Sequence, residues 1–178
     1  METQQKMSKR KIMINYGLLL GFLSILISVA NYALGNAYEP HWSVNAIGII
    51  IMIAIIIFGI KKLKESNEGL LSLGEALKTG IGIALVSVLI FMVYFYVFAK
   101  FIEPEFVNRT TELNLAKAIE QRPNTTEEAL EMQEKMTKNY FFVFAFGFMF
   151  IFNLFIGFIT SLVGGLIMKK TDEEITSI

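Results

Sequence analysis

Apolar residues along this chain fall into four long blocks separated by charged or turn-prone stretches, and the last block is the longest. From Thr125 to Lys170 the pattern predicts one helix in two solvents: TTEEALEMQEKMTKN is amphipathic, whereas Tyr140 to Met168 carries no charge. An uncharged apolar run longer than about 18–20 residues is long enough to cross a bilayer as a helix. Earlier blocks run over about 12–35, 43–60 and 77–101. The expected fold is an all-α membrane protein, one integral domain over 1–178 built as a four-transmembrane-helix bundle.

Local signals set the ends of these helices. Lys9, Arg10 and Lys11 precede the first block, as basic residues precede a secretory leader, but the block exceeds the roughly 7–15 residues of a leader's apolar core. It is read as the first span. Tyr38 and Trp42 flank Pro40 at a turn of interfacial character, and His41 beside them is a lone surface imidazole. The second span is dominated by Ile, and its small residues Ala46, Gly48, Ala54 and Gly59 form no stripe, so it is expected to be the most lipid-exposed. Ser72 and Glu75 have capping-box spacing, which starts the third helix near Leu73, and Pro104 closes it.

Residues 103–139 then predict a helical hairpin, with one helix over Thr110–Gln121, a break at Pro123 and Asn124, and a restart at the capping pair Thr125 and Glu128. Ala129, Met132, Met136 and Tyr140 make the apolar seam of the second helix, with acid-first pairs Glu131–Lys135 and Glu134–Lys138 elsewhere on it. The acidic face raises the question of a divalent cation, but the neighbouring lysines compete for the same oxygens and no metal is expected.

Two spans carry small residues at helical spacing: Gly17, Gly21, Ser24, Ser28 and Asn31 in the first, and Gly157, Ser161 and Gly165 in the fourth. In lipid such faces let backbones approach closely. Both are expected to serve packing within the bundle, and the two helices are expected to touch. Neutral polar residues inside the spans are the candidate ligand contacts, chiefly Asn31, Tyr94 and Asn153. Asn153 falls near the middle of its span, where an unpaired amide is costly, so it is expected to face the bundle, toward the first helix.

Composition narrows the chemistry. Of 178 residues, 54% are hydrophobic, so the chain is too apolar for an ordinary soluble domain. Basic and acidic side chains balance at 16 each, which gives no field to attract nucleic acid. Cys is absent and His41 is the single His, so thiolate chemistry and His-clustered metal sites within one chain are excluded. The spans hold no Asp, Glu, His, Lys or Cys away from their ends, leaving serines without a base and no ionisable relay. Glu103 and Glu105 beside Pro104 are the one acid pair at a membrane surface, and they read as a solvated helix end. No enzymatic activity, catalytic residue or cofactor is expected.

Ten of the 16 basic residues lie in the N-terminal segment, between spans two and three, or after Met168, while the hairpin segment together with Lys100 holds six against eight acidic residues. Positive residues stay cytoplasmic, so both termini are expected inside and the hairpin outside, in the cell inner membrane.

The first span YGLLLGFLSILISVANYALG, the entry KKLKESNEGLLSLGEALKTGIGIAL into the third and the closing FIGFITSLVGGLIMKK together resemble the DUF4199 family, small four-helix membrane proteins typical of Bacteroidota. The resemblance covers nearly the whole chain. It implies no activity and no functional residues, and it implies an envelope-glycan setting near family 2 glycosyltransferases. The expected function is that of a non-enzymatic accessory or interaction subunit in the cell envelope, touching membrane lipids and another membrane protein, itself or an envelope glycosyltransferase. The alternative is a small carrier or flippase-like protein for a lipid or lipid-linked glycan.

Overall fold

The computed structural model describes residues 8–170, so the polar segment before Ser8 and the charged tail after Lys170 lie outside the described residues. Helix α1 spans Lys9–Ala33, α2 Trp42–Ser66, α3 Leu73–Val97, α4 Phe106–Gln121 and α5 Glu127–Met168, with a π-helical turn over Phe98–Ile102 after α3. Four stretches are long and apolar enough to cross a membrane: α1, α2, α3 with its π turn, and α5. The protein is thus an all-helical molecule with four span-like helices, as the hydropathy pattern implies.

Each start has a local cause. Ser8 Oγ accepts the Lys11 N–H at 3.3 Å and opens α1. His41 Nδ1 accepts the Ser43 N–H at 3.4 Å, so the lone imidazole is the cap of α2. The capping box at α3 is complete, because Ser72 Oγ accepts from Glu75 N–H and Glu75 Oε2 accepts from Ser72 N–H, each at 3.2 Å. At α5 the cap is Thr126, which accepts from Ala129 N–H, one residue later than expected. Thr125 instead donates to Arg122 O at 2.8 Å and ties down the preceding turn.

Two boundaries differ more. Helix α2 runs six residues past Ile60, through KKLKES, because nothing in that stretch breaks a helix until Gly69. Gly69 has φ +87°, a left-handed conformation that glycine tolerates, and its N–H caps Lys64 O at 2.9 Å. Helix α4 begins at Phe106 rather than Thr110, since Pro104 fits a turn and leaves the next residues free to coil.

Helix α3 is the centre of the bundle. It packs on α1, α2 and α5, whereas α1 and α5 make no direct contact. The expectation that their small-residue faces meet is therefore corrected: each face meets α3. A Cβ built at Gly17 would lie 2.5 Å from Val86 Cβ, and one at Gly21 would lie 3.2 Å from Ile90 Cβ. On the other side, one at Gly157 would lie 2.7 Å from Ala84 Cβ, and one at Gly165 2.8 Å from Ala76 Cβ. Gly80 of α3 faces the Ser161 hydroxyl, which is itself buried and donates to Gly157 O. The reason is that α3 carries Ala76, Gly80 and Ala84 on one face and so offers α5 a closer approach than α1 does.

The core joins Ile12 and Leu20 of α1, Met52, Ile56, Ile60 and Leu63 of α2, and Leu71, Ala76, Ile83 and Ala84. Helix α2 is not the most exposed helix. In its most apolar stretch 22% of residues are buried, against 6% in α5, because one face of its Ile run fills the core while the outer half of α5 stands clear. At the end that holds the described termini, Leu71 and Lys170 exchange backbone hydrogen bonds of 2.9 and 3.0 Å, Lys64 Nζ donates to Met168 O at 2.8 Å, and Lys9 meets Glu75 at 3.2 Å.

At the opposite end α4 packs on α5, with the Phe106 and Phe141 rings 6.2 Å apart. The expected seam does not mediate this contact: Met132, Met136 and Tyr140 are exposed, and the half-buried positions are Leu130, Glu134 and Thr137. Periodicity defines an apolar face on this helix, and α4 packs on a different one.

The α3–α5 contact leaves no room at Gly80. Gly80→Ala is expected to destabilise the protein by about 1–3 kcal/mol, read as a lower thermal midpoint in detergent. Gly147→Ala, where a Cβ meets nothing within 4 Å, is expected to leave the midpoint unchanged or slightly raised.

Candidate functional site

The bundle is tight where its helices carry small residues and open where they carry aromatics. Beyond Ala84, α3 continues with Phe91, Tyr94, Phe95 and Phe98, and the facing part of α5 carries Phe141, Phe142 and Phe146. Phe95 lies 6.4 Å from both Phe141 and Phe146. These rings wedge the helices apart, and between α1, α2 and α5, floored by α3, lies a cleft of about 660 Å³. That size lies within the range of small-molecule and cofactor pockets, about 300–1,000 Å³.

The apolar walls carry a small set of neutral polar groups: Ser24, Ser28 and Asn31 of α1, Asn45 of α2, Ser87 of α3 and Asn153 of α5. No charged side chain lines the cleft. Ser87 and Asn153 lie about one helical turn beyond the Ala84–Gly157 contact in the same direction, which puts them at one level near the middle of the two spans. Several of the polar groups are already engaged. Ser24 Oγ donates to Leu20 O at 2.9 Å, Asn31 Nδ2 to Asn36 O at 2.8 Å and Asn153 Nδ2 to Met149 O at 2.9 Å. Ser28 Oγ accepts from the Tyr94 hydroxyl at 3.3 Å.

Of the ligand contacts expected from sequence, Asn31 and Asn153 line the cleft and Tyr94 does not. The Tyr94 hydroxyl is turned to Ser28 and its ring stacks on Phe98 at 6.0 Å. The packing residues divide as well: Gly17, Gly21, Gly157, Ser161 and Gly165 sit in helix contacts, while Ser24, Ser28 and Asn31 turn to the cleft. Ser87 and Asn45 were not singled out as contacts. A polar residue within an apolar run was the available signal, and for Ser87 it was masked by the small-residue face that it shares.

A second cluster closes the α4 end of the cleft. Glu103 accepts from the Tyr38 hydroxyl at 2.7 Å and from Tyr32 at 3.0 Å, joining the end of α1 and its following loop to the end of α3. Phe106 of α4 stacks on Tyr38 at 5.5 Å, and the Arg109 guanidinium lies 5.6 Å over the same ring. The Tyr38 hydroxyl, followed by Tyr32 and the nearby Arg109 charge, holds the Glu103 carboxyl below the usual carboxylate range. Tyr38 moves the other way, raised by burial and by the same hydrogen bond. Lys117 and Glu39 add an ion pair of 2.6 Å between α4 and the loop. No local pattern announces this clamp, because its Tyr and Glu partners are more than sixty positions apart.

Among the described residues no group of three His, Cys, Asp or Glu side chains converges on a point. What the arrangement can do is hold a molecule with an apolar body and a few neutral polar atoms. Four span-like helices around such a cleft mark a multi-pass helical membrane protein. Residues 15–170 match DUF4199, described as a protein of unknown function, and the chain belongs to that family. No curated protein and no solved structure matches it.

The clamp makes a pH prediction. Because the folded Glu103 carboxyl titrates below its unfolded value, its contribution is full above the unfolded pKa and is lost as pH falls through the folded one. Glu103→Gln should therefore lower the thermal midpoint at neutral pH, and the gap to wild type should close on acidification. A gap that stays constant down to acid pH would show that the carboxylate charge plays no part.

Proposed function

We propose that this protein is a non-enzymatic lipid-handling membrane protein, a carrier or flippase-like device whose cleft holds the polar end of a lipid. The observation that supports this reading is that Asn31, Ser87 and Asn153, from three different helices, all line one cleft, with Ser87 and Asn153 at one level. Polar side chains in lipid-facing helices are costly unless they have a use, and a cleft that opens between spans gives them one. The protein sits in the inner membrane with both termini cytoplasmic and with α4 and the amphipathic start of α5 outside as a hairpin. The distribution of basic residues supports that orientation.

A second reading, as an accessory subunit bound to another membrane protein, to itself or to an envelope glycosyltransferase, rests on the exposed Met132, Met136 and Tyr140. The small-residue face of α1 no longer supports it, since Gly17 and Gly21 are occupied by α3.

Gly48 provides the test. It lines the cleft, and a Cβ there would meet nothing within 4 Å, so a side chain at this position starts into open space and Gly48→Phe occupies the cleft. Native mass spectrometry of wild type extracted from its own membrane is expected to show one retained lipid per chain, and Gly48→Phe is expected to lose it at an unchanged thermal midpoint. Wild type that retains no lipid but carries a stoichiometric protein partner would replace this reading with the accessory one.

A further inference from the structure

Donor and acceptor assignments along the cleft say more than that a lipid fits. An Asn side chain has one oxygen acceptor and an NH2 with two N–H donors, and only the nitrogen can satisfy a backbone carbonyl. One N–H of each Nδ2, in Asn31 and in Asn153, is committed to such a carbonyl, Asn36 O and Met149 O. Among the described residues each Oδ1 has no protein donor, so each amide keeps an oxygen acceptor and one N–H for a group in the cleft. Ser87 is 3% exposed and lines the cleft, and among the described residues its hydroxyl has no hydrogen-bond partner. That hydroxyl faces the cleft and is available to pair with a polar group there.

Charge gives the complementary constraint. An anionic headgroup brought among these walls would meet no cation, since none lines the cleft. Arg109, close to the clamp, lies over the Tyr38 ring and lines a separate hollow with Glu112. At the closed α4 end of the cleft the one carboxylate, Glu103, is held by Tyr32 and Tyr38 and offers no attraction to an anion.

We infer that the cleft selects a neutral lipid alcohol, a long-chain molecule whose free hydroxyl donates to Asn153 and pairs with Ser87, over the same lipid carrying a phosphate. This rests on the cleft being a lipid site. Two sources share that chemistry: a diacylglycerol and a free isoprenoid alcohol. The lipid-linked glycan of the broader reading, which carries phosphate next to its lipid, is the ligand that this lining fits worst.

The experiment is competition on the full-length protein in detergent, read by native mass spectrometry, with two matched pairs of probes. One pair is 1,2-dioleoylglycerol with dioleoylphosphatidic acid, and the other is a polyprenol with its monophosphate. The expected result is retention of an alcohol at least about tenfold over its phosphorylated partner, a gap of about 1.4 kcal/mol. The pair that shows the larger gap identifies the source. Ser87→Ala, a one-atom deletion, is expected to reduce alcohol retention by about two- to tenfold, the worth of one hydrogen bond, while the thermal midpoint holds. Equal or better retention of the phosphorylated lipids, still abolished by Gly48→Phe, would overturn the selectivity and leave the lipid site standing. Retention unaffected by Ser87→Ala would remove Ser87 from the recognition. No retention of any probe would sink the lipid reading itself.

Discussion

In a bilayer, apolar side chains gain nothing by leaving lipid for one another, so helices associate where their backbones can come close enough for dispersion contacts and interhelical polar contacts to win. That constraint is met along one face of α3, where Ala76, Gly80 and Ala84 receive Gly165, Ser161 and Gly157 of α5. The other flank of α3 receives Gly17 and Gly21 of α1. Everything else in the bundle is arranged about these two seams. Helix α2 fills the remaining side with Ile56 and Ile60, and the chain ends near Lys9 and Lys170 are tied at the same end of the molecule.

The cleft follows from where the small residues stop. Past Ala84 and Ser87, α3 turns from methyl-sized side chains to rings, and Phe91, Phe95 and Phe98 cannot nest as glycine and alanine do. Neighbouring helices must splay, and the space between α1 and α5 that results is lined by what those helices carry there. On α1 that is Ser24, Ser28 and Asn31, and on α5 it is Phe148, Phe152 and Asn153. The aromatic wedge is itself held from above by Glu103, whose two tyrosine donors belong to α1 and to the loop after it. Packing and binding are thus opposite ends of one gradient in side-chain size.

Much of the architecture was legible in the sequence because its signals are local. The uncharged run of α5, the Ser72–Glu75 box and the stop at Pro104 each act within a few residues, and each appears in the structure as read. Pairing was not legible. Gly17, Gly157 and Gly80 all announce close approach, but spacing along one helix does not say which other helix arrives, and both outer faces went to α3 rather than to each other. The same limit applied to the site. Asn31 and Asn153 stood out as polar residues in apolar runs, whereas Ser87 looked like one more small packing residue. Met132 and Met136 misled for a related reason: helical periodicity gives a face, and the neighbouring helix chose a different one.

Helix α5 is unbroken from Glu127 to Met168, 42 residues that extend for roughly 63 Å at the usual rise of 1.5 Å per residue. No proline interrupts it, so the amphipathic end and the cleft wall that bears Phe152 and Asn153 move as one stiff rod. The tight zipper at Gly157, Ser161 and Gly165 is its fulcrum. A push on that end, delivered through α4 or against Met132 and Met136, would therefore be carried along the rod to the wall of the cleft. Leverage of this kind couples the far end of the molecule to its interior without any change in secondary structure.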